Sequence, residues 1–179
     1  MKNMIAMTDA LVTVDVQLAL ADEGEEPPAA QVLSAWVNRA YAQVAAAPTE
    51  ITVRLVDETE MADLNQTYRG KKGTTNVLSF PFENDFDFTE LAAIENQEHI
   101  ELAADTVSDF LGDIVICHQV IQREAQEQGK HQNNHYAHMV THGVLHLCGY
   151  DHLNDAQATE MEALEVAILA QSNIENPYI

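Results

Sequence analysis

His142-Gly143-Val144-Leu145-His146-Leu147-Cys148-Gly149-Tyr150-Asp151-His152 reads as the last turns of a helix, a stop and a return. His142 and His146 are four residues apart, so on a helix they stand one turn apart on the same face. Gly149 offers the chain a left-handed exit, which swings His152 back toward the first two. Three converging imidazoles suit one zinc ion per chain with its fourth tetrahedral position open, the arrangement of a catalytic rather than a structural site. Cys148 lies two residues after His146, roughly 200° around the helix. It therefore points away from the ligands and is expected to be a small buried hydrophobe.

What this stretch lacks is equally informative. The spacing His-x3-His-x2-Gly-x2-His is shared with the metzincin proteases, whose second position is a glutamate serving as general base. Here that position is Gly143, which has no side chain to take up a proton. The pattern points to a metal-dependent hydrolase that is not a typical peptidase.

Eight histidines are present, so the choice among them needs a reason. His135, His138, His142 and His146 form one stripe, because steps of three and four return to the same helix face. By spacing alone, His138 with His142 is as good a pair as His142 with His146. The third ligand decides between them: the turn at Gly149 can return His152 only to the end of the helix. His135 and His138 are expected behind the site or on the surface, and His99, His118 and His131 have no constellation around them.

Outward from this stretch, the chain alternates strands and helices. Residues 11–20 carry Val12, Val14, Val16, Leu18 and Leu20 on one face, the period of a strand. An acidic connection at 22–28 leads to a helix over 29–46, with a stripe of Val32, Leu33, Trp36, Val37 and Ala40 closed by Pro48. Strands are expected at 51–56, 76–82 (stopped by Pro81) and 111–117. Helices are expected at 58–68, 118–128, 133–147 and 155–170, with Asp155 as a candidate cap for the last. Residues 83–109 hold nine acidic residues and no Lys or Arg, and read as an exposed insertion with at most one short helix. The whole, 1–179, reads as a single α+β domain: a small mixed four-stranded sheet with five or six helices, and a metal site on a C-terminal helix and the turn after it.

The 179 residues carry 8 Lys and Arg against 29 Asp and Glu, a formal charge of −21. So acidic a body has no general affinity for nucleic acid. Three of its few cations nonetheless cluster in Arg69-Gly70-Lys71-Lys72, a local basic spot. Two cysteines are too few for a disulfide framework and fit a reduced compartment. Lys2 is the only early positive charge, and Asp9 and Asp15 interrupt the apolar stretch, so no export signal is expected. With no long apolar run, no membrane span is expected either, and a cytoplasmic location follows.

The signature His142-Gly143-x-Leu145-His146-Leu147-x-Gly149-Tyr150-Asp151-His152 resembles that of the YbeY family, bacterial endoribonucleases and ribosomal RNA maturation factors. Leu64-Asn65-x-x-Tyr68-Arg69-Gly70-Lys71 with Thr75-Asn76-Val77-Leu78-Ser79-Phe80-Pro81-Phe82 is similar to a second block of that family, and Leu111-Gly112-Asp113-Ile114 to a third. Glu160-Met161-Glu162-Ala163-Leu164-Glu165 resembles its C-terminal helix. The chain departs from the family at Lys72 and Thr74, where an acidic residue and a proline are expected. The resemblance implies a zinc-dependent, single-strand-specific endoribonuclease acting in 16S ribosomal RNA 3′-end maturation and 70S ribosome quality control. It implies zinc at His142, His146 and His152, a functional role for Arg69, and ribosomal RNA, the ribosome and its proteins as partners.

On this reading the metal activates water without a protein base, and Arg69 pairs phosphate oxygens with its planar fork. Lys71 and Lys72 are solvated loop residues or add only general attraction. Asp113 and Asp151 are structural acceptors or partners of a ligand histidine, and Ser79 has no local histidine to make it a nucleophile. Two other classes remain open: a metzincin-like metalloprotease, and a non-enzymatic ribosome assembly factor whose zinc is structural. The sequence does not specify an oligomeric state.

Overall fold

Alternating apolar residues build four strands among the described residues of the computed structural model, which are 11–20, 25–82 and 109–179. They are β1 (Val12–Ala19), β2 (Thr49–Val56), β3 (Val77–Pro81) and β4 (Phe110–Cys117). The order across the sheet is β1-β2-β4-β3. β1 pairs parallel with β2 and β2 parallel with β4, whereas β3 runs antiparallel to β4. The expected mixed sheet is therefore present. The expected acidic insertion at 83–109 lies, but for Asp109, outside the described residues.

Among the described residues five helices accompany the sheet: α1 (Ala30–Tyr41), α2 (Glu58–Arg69), α3 (His118–Glu127), α4 (Gln132–Leu147) and α5 (Asp155–Ala170). α2 begins where the Asp57 carboxylate accepts the Glu60 backbone N–H at 2.9 Å, a cap that satisfies one of the orphan donors of the first turn. Glu58 and Glu60 add negative charge at the positive end of the helix dipole. α5 is capped by Asn154, whose side chain accepts from the Gln157 N–H at 3.0 Å. Asp155, the expected cap, is instead the first helical residue.

The two faces of the sheet carry separate clusters. Ile51, Val53, Leu55, Ile114 and Ile116 meet Leu33 and Val37 of α1 and Val140 and Val144 of α4. On the other face Leu78, Val115 and Cys117 meet Met61 of α2 and Val120 of α3. Side chains such as Val140, Val144 and Leu145 are fully buried, and each such burial stabilises the fold by about 1.5–3 kcal/mol. They seat α4 against the sheet, so its histidine face has a rigid backing.

Two elements differ from their sequence pattern. α1 stops at Tyr41, with Ala42, Gln43 and Val44 in turns, so the helix does not run on to residue 46. β1 is one of the two edge strands, paired on one side only among the described residues. Leu18, aligned by period with the buried Val12, is 63% exposed there.

Candidate metal centre

α4 supplies the first two histidines. His142 and His146 lie on its partly exposed side, between Gly143, Val144, Leu145 and Leu147, which are buried. The Nε2 atoms of His142 and His146 are 3.1 Å apart. The helix then ends at Cys148, and Gly149 adopts φ +90°, a conformation that costs a side-chain-bearing residue about 1–2 kcal/mol. This turn brings His152 back, so that its ring centroid lies 5.1 Å from that of His146 and 5.8 Å from that of His142. One nitrogen from each of the three rings falls within 4.8 Å of the other two. Such a set of neutral nitrogen donors, open on the side of the exposed His152, fits a zinc-type ion with a free position.

The electrostatics favour the ligand form of the His146 ring. Burial pushes the His146 imidazole below its usual range, and His142 and His152 push it further, against an opposing pull from Asp151. His146 is thus neutral near pH 7, the state in which imidazole binds a metal. Burial pushes the Cys148 thiol up to about 11, and Cys148 is not among the converging donors. It packs against the apolar core but is only half-buried, not the fully buried hydrophobe expected.

The missing glutamate has a structural cause. Gly143 faces β4, where a Cβ atom would stand 2.7 Å from Cγ2 of Ile114. A side chain at this position would meet the sheet, and the helix packs this closely because none is there. A metzincin-type base has no room at 143.

Arg69 comes to the same place from the other side of the sequence. It is the last residue of α2, and the chain turns immediately after it at Gly70, φ +63°. The buried Asn65 fastens the following loop by donating to the Gly73 carbonyl at 2.9 Å. Arg69, Thr75, Asn76, Val77 and Ser79 line one cavity of about 420 Å³ together with His142, His146, Asp151, His152 and Leu153. Among the described residues Arg69 makes no ion pair, although acids outnumber bases by 29 to 8 in this chain. Arg54 pairs with Glu60 and Arg123 with Glu58, while Arg39, likewise without an ion pair among the described residues, donates to the Ser172 hydroxyl.

Other candidate residues separate clearly. Asp151 accepts the His152 backbone N–H at 2.7 Å and so shapes the return. Asp113 lies across the sheet from the histidines, in a second hollow with Arg54, Tyr68 and Phe80. Ser79 lines the histidine cavity but, among the described residues, hydrogen-bonds to none of the three histidines. His118 is buried against the Tyr136 hydroxyl and the Glu25 carbonyl. His131 caps α4. His135 is buried and bonded to Glu124 at 2.7 Å.

Glu165 and Tyr178 were not singled out from sequence. The Glu165 carboxylate is buried, accepts from His142 Nδ1 at 2.7 Å, and also meets His138 Nε2 and the Tyr178 hydroxyl. Burial alone would raise its pKa, but the hydrogen bonds from His138, His142 and Tyr178 outweigh that and hold it down to about 2. The available signal was an acid on the same helix face as Met161, Ile168 and Leu169, all buried.

Comparison with known proteins gives three findings. A family model described as endoribonuclease YbeY matches residues 20–173. An endoribonuclease YbeY of Alteromonas mediterranea is 46% identical over 170 residues, covering 92% of this chain and 95% of the relative. A Thermotoga maritima protein of known solution structure aligns with a TM-score of 0.54 at 24% identity, over 90% of this chain and 93% of the other. That last likeness bears on the fold alone.

Proposed function

This chain belongs to the YbeY endoribonuclease family, and on that premise we propose that it cleaves single-stranded RNA at the histidine cleft, with zinc held by His142, His146 and His152. The observation that carries this reading is the convergence of three imidazole nitrogens in a cavity shared with an arginine that has no ion pair among the described residues. When bound, the ion supplies a Lewis acid able to lower the pKa of water toward ~7 and to polarise a phosphoryl oxygen.

The chain's own residues supply the rest. Arg69 offers a planar fork to two phosphate oxygens. Its place at the end of α2, set by Gly70 and the Asn65 staple, holds that fork at the cavity wall. Asn76 is already committed, accepting the Val77 N–H and donating to Glu124. The Thr75 and Ser79 hydroxyls are left to face a bound strand. Leu153, 80% exposed beside His152, gives the rim an apolar surface for an unstacked base.

The body around this cleft remains strongly acidic. It repels RNA outside the cleft and suits contact with the basic proteins of the ribosome. Maturation of 16S ribosomal RNA at its 3′ end and 70S quality control are the settings proposed here. A cytoplasmic location accords with the two free thiols, Cys117 and Cys148. Among the described residues no helix is long and apolar enough to cross a membrane.

The test is cleavage of a single-stranded ribosomal RNA fragment by the purified protein. Activity should disappear on chelation and return with zinc, and a casein assay under the same conditions should stay blank. Cleavage indifferent to chelators would remove the metal from the reaction.

A further inference from the structure

Glu165 is a costly residue to place where it is. Its side chain is only 1% exposed, and a carboxylate taken out of water costs several kcal/mol unless donors surround it. Donors do surround it. Oε1 accepts from His142 Nδ1 at 2.7 Å. Oε2 takes the Tyr178 hydroxyl and lies 3.4 Å from His138 Nε2. Tyr178 belongs to the segment after α5, and that segment is fastened to the loop before α4 by Lys130 Nζ donating to the Pro177 carbonyl at 2.6 Å. Three pieces of chain, α4, α5 and residues 174–179, thus meet on one carboxylate. They meet on the side of the His142 ring opposite to the nitrogen that faces His146.

That opposition has a chemical consequence. A hydrogen bond from Nδ1–H to a carboxylate fixes the imidazole tautomer, so that the lone pair sits on Nε2. It also fixes the ring's rotation about its long axis and raises the basicity of Nε2. We propose that Glu165 is the positioning residue for His142, and that Tyr178 and His138 hold Glu165 in place, so that the segment after α5 sets how tightly the centre binds its ion. This rests on the reading of His142, His146 and His152 as metal ligands. The competing role is mechanical: the carboxylate merely ties α5 and residues 174–179 to α4. The two differ in what a substitution moves, metal affinity or the stability of the metal-free fold.

The experiment measures zinc affinity by competition with a chromophoric chelator, the absorption spectrum of the cobalt(II)-substituted protein, and the melting temperature of the metal-free protein. The variants are Glu165→Gln, Glu165→Ala and Tyr178→Phe. Loss of a partner behind a ligand histidine typically weakens metal binding about 10–100-fold. Glu165→Ala should fall in that range. Glu165→Gln should fall less, because its amide oxygen still accepts from Nδ1–H. Tyr178→Phe, at a half-exposed side chain, should weaken binding several-fold and alter the cobalt spectrum with little change in metal-free melting. If Glu165→Ala does not fold, the other two variants carry the test. Wild-type affinity and an unchanged cobalt spectrum in Glu165→Gln and Tyr178→Phe would overturn the proposal, as would losses that merely track unfolding. A wild-type protein that binds no zinc would instead overturn the metal reading itself.

Discussion

The two halves of α4 each carry a histidine pair at helical spacing, three residues apart in the first and four in the second, and use them in opposite ways. In the first half His135 is buried against Glu124, and His138 reaches Glu165 and Tyr178. In the second half His142 and His146 turn toward each other and toward His152. Nothing in the helix period distinguishes them. The difference lies in what each half meets: Glu165 of α5 stands behind both His138 and His142, but Glu124 of α3 takes up His135, whereas the chain returning through Gly149 brings a third imidazole to the second half. Helical spacing makes a stripe of imidazoles; the return after the helix makes one end of it a ligand set.

Breaking one member of each half should separate them most widely. His146→Ala should abolish RNA cleavage, and His135→Gln should leave it near the wild-type rate; comparable losses in a single-stranded RNA assay would erase the distinction. Arg69→Ala comes next. It should retain its zinc yet lose cleavage by about 10²–10³-fold, the range for removing a group that stabilises developing charge, with Arg69→Lys recovering only part. An unchanged rate would return Arg69 to the surface.

Smaller effects probe how α4 is seated and how its first half is held. Gly143→Ala drives a methyl group into Ile114 and should cost about 1–3 kcal/mol, the usual range for overpacking, read as a lowered melting temperature. A variant as stable as the wild type would mean that the helix can back away from β4. Burial holds the His135 imidazole below its usual range despite the pull of Glu124. The unfolded chain therefore takes up this proton first as the pH falls through ~6.5. Its contribution to stability is complete above that pH and is lost as the pH drops toward the folded-state value. Chemical denaturation of metal-free protein between about pH 7.5 and 5.5 should show a shallower decline for His135→Gln than for the wild type.

Much of this arrangement was legible in residues 142–152. The ligand set needed only the helix period, one glycine and one more histidine. The sheet was legible because β2 alternates and β4 is an apolar run broken only at Gly112 and Asp113, and the mixed order agrees with the expected architecture. What could not be read were consequences of tertiary position. Leu18 shares the period of Val12, but an outer strand leaves it exposed. Asp113 shares a strand with Ile114, and the pleat sends it to the face away from the histidines. Gly143 could be read as the absence of a base but not as a contact with Ile114. Glu165 and Tyr178 lie 23 and 36 residues from His142, at a separation where no local pattern reports a hydrogen bond.

The most direct measurement is a zinc titration of the wild-type protein beside His152→Ala and His135→Gln, with metal content counted per chain. One tightly held zinc is expected in the wild type and in His135→Gln, and a strongly weakened site in His152→Ala. Tight binding that survives loss of His152 but fails with His135 would place the metal on the first half of α4 and overturn the assignment.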